Sequence, residues 1–194
     1  MHGLINRAFQ SFVCDTYGEA IWETIVRKAA LEVTTFEAML VYDDQILFDM
    51  IRAASETLQK PCSVLLEDVG TYLVSHPTSG GLRRLLRFGG DTFGDFLLTL
   101  DDMPDWAQLA LPELYIPPLE VRQTGPDGYR IVVNSPLAGI AFGILGVLRA
   151  MADDYGALVL MDLAKGETGL DQIEVQLLDV KFAKAREFEL AHSQ

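Results

Sequence analysis

Between residues 3 and 105, apolar side chains return every three or four positions, the period of an α-helix with one buried face. Leu4, Ile5, Ala8, Phe9, Phe12 and Val13 form the first such stripe, and Gly18 ends it. Ile21, Trp22, Ile25 and Val26 form the second. A third helix is predicted through DDQILFDMIRAASETLQK, opened by an aspartate cap and closed before Pro61. In SVLLEDVGTYLVSHP, Leu65, Leu66, Val69 and Leu73 share a face. GGLRRLLRFGGDTFGDFLLTLDDM supplies one or two shorter helices, divided at Gly89 and Gly90.

The period then changes. PPLEVRQTGPDGYRIVVNSP has extended, β-branched segments on either side of a Gly-Pro-Asp-Gly turn, which is a hairpin pattern. Ala138 to Tyr155 returns to helix, and ALVLMDLAKGETGLDQIEVQLLDVKF gives two more strands around Gly-Glu-Thr-Gly. The order is six or seven helices, two strands, a helix and two strands. It predicts an α+β fold, a helical half followed by a small antiparallel sheet crossed by one helix. We read residues 1–194 as one domain, with a helical part at 1–115 and a sheet part at 116–194.

Charge narrows the partners. Fifteen basic and 28 acidic residues give a net charge of −13, which repels nucleic acid phosphates and anionic membranes. Arg83 and Arg87 fall one helical turn apart and are expected to form a solvated face, as are the carboxylate pairs Asp101–Asp102 and Asp153–Asp154. Two cysteines, Cys14 and Cys62, make neither a disulfide framework nor a zinc set, and suggest a reducing cytoplasm. The N-terminal segment has no apolar signal core. The polar-free run from Pro136 to Leu148 is well short of the roughly 20 residues that cross a bilayer, so it reads as a buried helix. No nucleophile elbow, phosphate-binding glycine loop or His-Glu-x-x-His run is present, so no catalytic role is expected.

One proline stands out. In LLTLDDMPDWAQLALPEL, helical spacing runs on both sides of Pro104, although proline removes a backbone donor and clashes with the preceding turn. It is tolerable if a helix restarts there, with Asp101 and Asp102 near its positive end and Pro104 in its first turn.

The order of elements, taken with particular segments, resembles the H-NOX family, the haem nitric-oxide/oxygen-binding domains of bacterial gas sensors and soluble guanylate cyclase. The resemblance runs from MHGLINRAFQSFVCDTYGEAIWETIV through DVGTYLV, RRLLRFGGDTFGDFLLTLDDM, LALPELYIPPLEV and NSPLAGIAFGILGVLRAMADDYG to the last hairpin. In that family haem lies between the helical and sheet halves. A histidine after a Leu-Asp-Asn-type lead-in binds the iron, and a Tyr-x-Ser-x-Arg motif holds the propionates. Here LDDM matches the lead-in, so the resemblance puts the iron-ligand position on Pro104. The propionate motif falls on Val133, Ser135 and Leu137.

The resemblance therefore implies a non-enzymatic sensor or regulatory domain in which ordinary haem binding is lost. Such a domain acts by protein contact or by binding another apolar ligand. The family implies a signalling partner such as a histidine kinase or a cyclic-dinucleotide enzyme. One alternative is a haem-binding nitric oxide or oxygen sensor with His76, Cys14 or water on the iron, and Arg122, Arg130 or Arg149 near the propionates. The other is a structural domain whose cavity is filled by Leu137, Met103 and Trp106.

Overall fold

Gly18 separates the first two helices because its backbone takes φ = +90°, a conformation that side-chain-bearing residues rarely adopt. In the computed structural model, which describes residues 3–76, 80–105, 116–135, 137–166 and 169–182, α1 (Gly3–Tyr17) precedes it and α2 (Glu19–Lys28) follows. Asp43 caps α3 (Asp44–Leu58) by accepting the Gln45 N–H at 2.9 Å, and left-handed Gln59 ends it. α4 (Cys62–Ser75) begins directly after Pro61. Two short helices follow, α5 (Gly80–Arg87) and α6 (Phe93–Leu98). A reciprocal Thr92–Asp95 capping box opens α6.

The hairpin is β1 (Leu119–Gln123) and β2 (Gly128–Val133), and α7 (Ile140–Tyr155) leads on to β3 (Leu158–Lys165) and β4 (Asp171–Asp179). All pairings are antiparallel, in the order β1-β2-β4-β3. The register sets Val121, Ile131, Ile173 and Leu163 in one row across the sheet. Ile131 and Ile173 are fully buried, and α7 packs on β3 and β4. No described helix is long and apolar enough to cross a membrane.

Apolar side chains gather into two clusters. The first lies among α1–α4, around Phe9, Ile25, Met50 and Leu65. The second joins α5–α7 and the sheet, around Phe93, Phe96, Met151 and Ile173. Their junction is the crossing of α4 and α7, where backbones meet. A Cβ on Gly70 would lie 2.0 Å from the Gly143 carbonyl oxygen, and one on Gly146 would lie 2.0 Å from that of Glu67.

Two expectations are corrected. The buried line of α1 runs through Gly3, Asn6, Phe9, Phe12 and Val13, whereas Leu4, Ile5 and Ala8 are only half-buried. Gly3 sets this rotation. Its N–H donates to Leu40 O at 2.7 Å, and a Cβ there would fall 2.0 Å from Glu37 O, so the helix turns its bare edge to that loop. Arg83, Arg87 and Asp154 do not form solvated faces either. Asp154 is 2% exposed and takes Arg83 Nε at 2.8 Å, while Arg87 Nε lies 3.7 Å from its other oxygen and its guanidinium stacks 3.9 Å over the Tyr155 ring. Opposite charge in low dielectric holds the three together.

Candidate functional site

α6 ends at Leu98, and the chain makes a turn through Thr99–Asp102 before a helical turn at residues 103–105. Leu100 and Met103 anchor it in the sheet-side cluster, at 2% and 4% exposure. Asp101 ties it to the sheet edge, its carboxylate accepting the Val121 N–H at 2.5 Å. Pro104 sits half-buried in the first helical turn, where a missing N–H leaves no intrahelical bond unmade. The ring carries no donor atom.

Across the cluster, Val133 closes β2, buried and paired with Leu119 and Asp171. Ser135 Oγ accepts the Leu137 N–H at 3.1 Å, a local turn between β2 and α7. Gly139, at φ = +84°, then starts α7. Val133, Leu100 and Met103 share one apolar cluster with Ala141 and Leu145. Of the four positions singled out from the sequence, only Ser135 offers a polar side chain, and none carries a positive charge. Trp106 lies outside the described residues.

The other candidate donors are engaged elsewhere. His76 caps α4, stacks on Tyr72 with centroids 4.6 Å apart, and places Nε2 3.6 Å from Asp15 Oδ2. Tyr72 donates its hydroxyl to the same carboxylate at 2.5 Å. Cys14 lines an open groove of about 740 Å³ between α1, α2 and the segment up to Thr35, with Glu19, Trp22 and Arg27. Burial, with Glu19 and Asp15 adding to it, pushes its thiol above the ordinary range. None of Pro104, Val133, Ser135 and Leu137 lines this groove. Arg122 pairs with Glu120, Arg130 with Glu174, and Arg149 with Glu67 as well as the Met161 carbonyl. Among the described residues no three His, Cys, Asp or Glu side chains gather as a metal set.

Two polar features escaped the sequence reading. Asn6 is fully buried on α1, and neither amide atom has a hydrogen-bond partner. Its spacing from Gly3 and Phe9 is the only hint of its place on the buried face. Asp154 likewise continues the stripe of Leu148 and Met151, three residues beyond the latter.

The sequence profile of haem-NO-binding domains matches residues 2–162. The chain belongs to the haem-NO-binding family. Its members are sensor domains for nitric oxide and oxygen rather than catalysts. The fold agrees with solved haem-NO-binding proteins. A triple mutant of an H-NOX protein from S. oneidensis, in the Fe(II) ligation state, superimposes with a TM-score of 0.79 at 16% identity, over 93% of this chain and 98% of that one. The Fe(II) unliganded H-NOX protein from K. algicida gives 0.79 at 16%, over 92% and 97%. Among curated relatives, soluble guanylate cyclase 89Db of Drosophila melanogaster is 20% identical over 158 residues, 81% of this chain. Soluble guanylate cyclase gcy-31 of Caenorhabditis elegans is 22% identical over 154 residues, 79% of this chain. The match spans only 24% and 22% of those two relatives' own lengths.

Proposed function

We propose that this haem-NO-binding domain is a regulatory domain that works without ordinary haem, in a reducing cytoplasm. The observation that carries the reading is Pro104. At the position where the family resemblance expects the iron ligand, this chain has a half-buried side chain with no donor atom, packed beside buried Met103. The donor set does not suit haem. Val133 and Leu137 offer propionates no partner, Ser135 spends its oxygen on the Leu137 N–H, and Arg122, Arg130 and Arg149, the arginines nearest in sequence, pair with glutamates. His76 and Cys14, the substitutes considered for the iron, lie among other neighbours. The domain then acts through contact with a signalling protein, of the guanylate cyclase, histidine kinase or cyclic-dinucleotide class, or through another apolar ligand. Burial of Met103 and Val133 also favours a second reading, a sheet-side interior filled by the chain's own side chains.

An absorption spectrum decides between haem-free and haem-bound function. The protein is expressed with haem precursor, then titrated with ferrous haem and nitric oxide. The expected outcome is no Soret band and no stoichiometric uptake. A sharp band at one haem per chain would overturn the proposal, and the spectra of His76→Ala and Cys14→Ala would then name the ligand.

A further inference from the structure

The outer face of the sheet is apolar at one end. Alternation along β3 and β4 turns Met161, Ile173, Val175 and Leu177 inward, toward α7, and turns Leu158, Leu160, Asp162 and Leu178 outward. A bulge adds to this. Leu158 pairs with Asp179 and Val159 with Leu177, so Leu178 is left without an opposite residue. Leu160, Leu178 and Phe182 are 58%, 53% and 63% exposed, and Leu158 and Val180 are exposed beside them. β3 is also the last strand of the sheet, and no described strand pairs with its outer edge. A single exposed leucine needs no explanation. Five large apolar side chains at one end of a sheet face mark a surface that another molecule covers.

The order of charges along this ridge selects the occupant. The register runs from Asp162, opposite Glu174, through Leu160 and Leu158 to the end of β4, where Val180, Lys181 and Phe182 follow. Asp162 and Lys181, at the two ends, are exposed, and neither forms an ion pair with a described residue. Glu174 is already held by Arg130. A ridge that is acidic at one end and basic at the other complements itself when reversed. We infer that the domain forms a two-fold dimer through the outer face of β3 and β4. The second copy, turned about an axis at Leu158 and Leu178, sets Asp162 of each chain against Lys181 of the other, with aliphatic side chains between them. The net charge of −13 on each copy opposes the approach, so the apolar ridge supplies the stabilisation, and association tightens as salt screens the repulsion. The two rim pairs fix the orientation. The inference goes beyond the haem-free reading and does not depend on it, since a Soret band would leave the outer face unchanged.

Sedimentation equilibrium of the full chain, from about 1 μM to about 1 mM, is the test. The average mass should rise from one chain to two and stop there. Leu160→Asp places a carboxylate in the middle of the ridge and should weaken the dimer at least about tenfold. Val41→Asp, in the other exposed apolar group at Met39–Val41, should leave the dimer unchanged. Charge reversal checks the orientation and keeps the test open if Leu160→Asp fails to fold. Asp162→Lys and Lys181→Glu should each weaken the dimer, and the two together should restore it. Asp162→Lys is the sharper of the two, because a less acidic chain would otherwise associate more readily. A monomer at every concentration overturns the inference and leaves the ridge to another protein or to residues 183–194. A mass that climbs past two chains also overturns it, as does a dimer indifferent to Leu160→Asp or a double variant no better than either single one.

Discussion

Asp154 shows how far a single residue can depart from what its neighbours in sequence imply. Adjacent acids at a helix end usually face water, yet Asp154 is 2% exposed and holds two arginines of α5. Asp154→Ala would leave both guanidinium groups poorly compensated, with an expected loss of about 3 kcal/mol in urea unfolding. A loss under ~1 kcal/mol would mean that the cluster is effectively solvated. Cys14 gives a pH-dependent test. Burial first, then Glu19 and Asp15, raise its folded-state pKa. An unfolded thiol titrates near pH ~8.5, so above that the unfolded chain releases a proton that the folded chain keeps. Stability from this group is therefore lost as pH rises, and is unaffected below the unfolded value. Between pH 7 and pH 9.5 the wild type should lose more stability than Cys14→Ala, measured by urea unfolding at each pH. The reverse ordering would place the thiolate in a favourable site.

At the scale of elements, the crossing of α4 and α7 is the feature most exposed to a one-atom change. Gly70→Ala and Gly146→Ala each put a methyl group against a carbonyl of the other helix, 2.0 Å away before any shift. Each should destabilise by about 1–3 kcal/mol, or more if the helices cannot separate. Gly143→Ala is the control. Its methyl would sit 3.7 Å from Leu66 O, an ordinary contact, and alanine is the better helix former by up to ~1 kcal/mol. Opposite signs for Gly146→Ala and Gly143→Ala in chemical denaturation are expected. Equal signs would mean that the two helices do not meet as described. Most element boundaries were legible in the sequence because their causes are local: the aspartate cap of α3, Gly18, and the Gly-Pro-Asp-Gly turn. The Pro104 restart was legible for the same reason.

For the whole molecule, two apolar clusters meet at that helix crossing, and they should unfold together. Hydrogen exchange checks this through the amides of Ile25 in α2 and Ile173 in β4, one deep in each cluster. Equal protection free energies are expected. A gap beyond ~1 kcal/mol would mean that the helical and sheet halves open independently. At this scale the net charge of −13 repels other polyanions.

The sequence by itself determined the α+β order and the caps and turns, because each depends on residue type and short spacing. It also carried the family likeness, through an ordered set of segments along nearly the whole chain. The tertiary structure alone decided the rotation of α1 that buries Asn6 and leaves Leu4 half-exposed. It alone paired Arg83 with Asp154, 71 residues away, set β2 beside β4, and brought Gly70 against Gly143. A hydrophobic period tells which stripe of a helix avoids water, but not which distant group meets a polar or missing side chain within that stripe. That choice is made by packing between elements far apart in the chain, where close approach and charge pairing outweigh local preference.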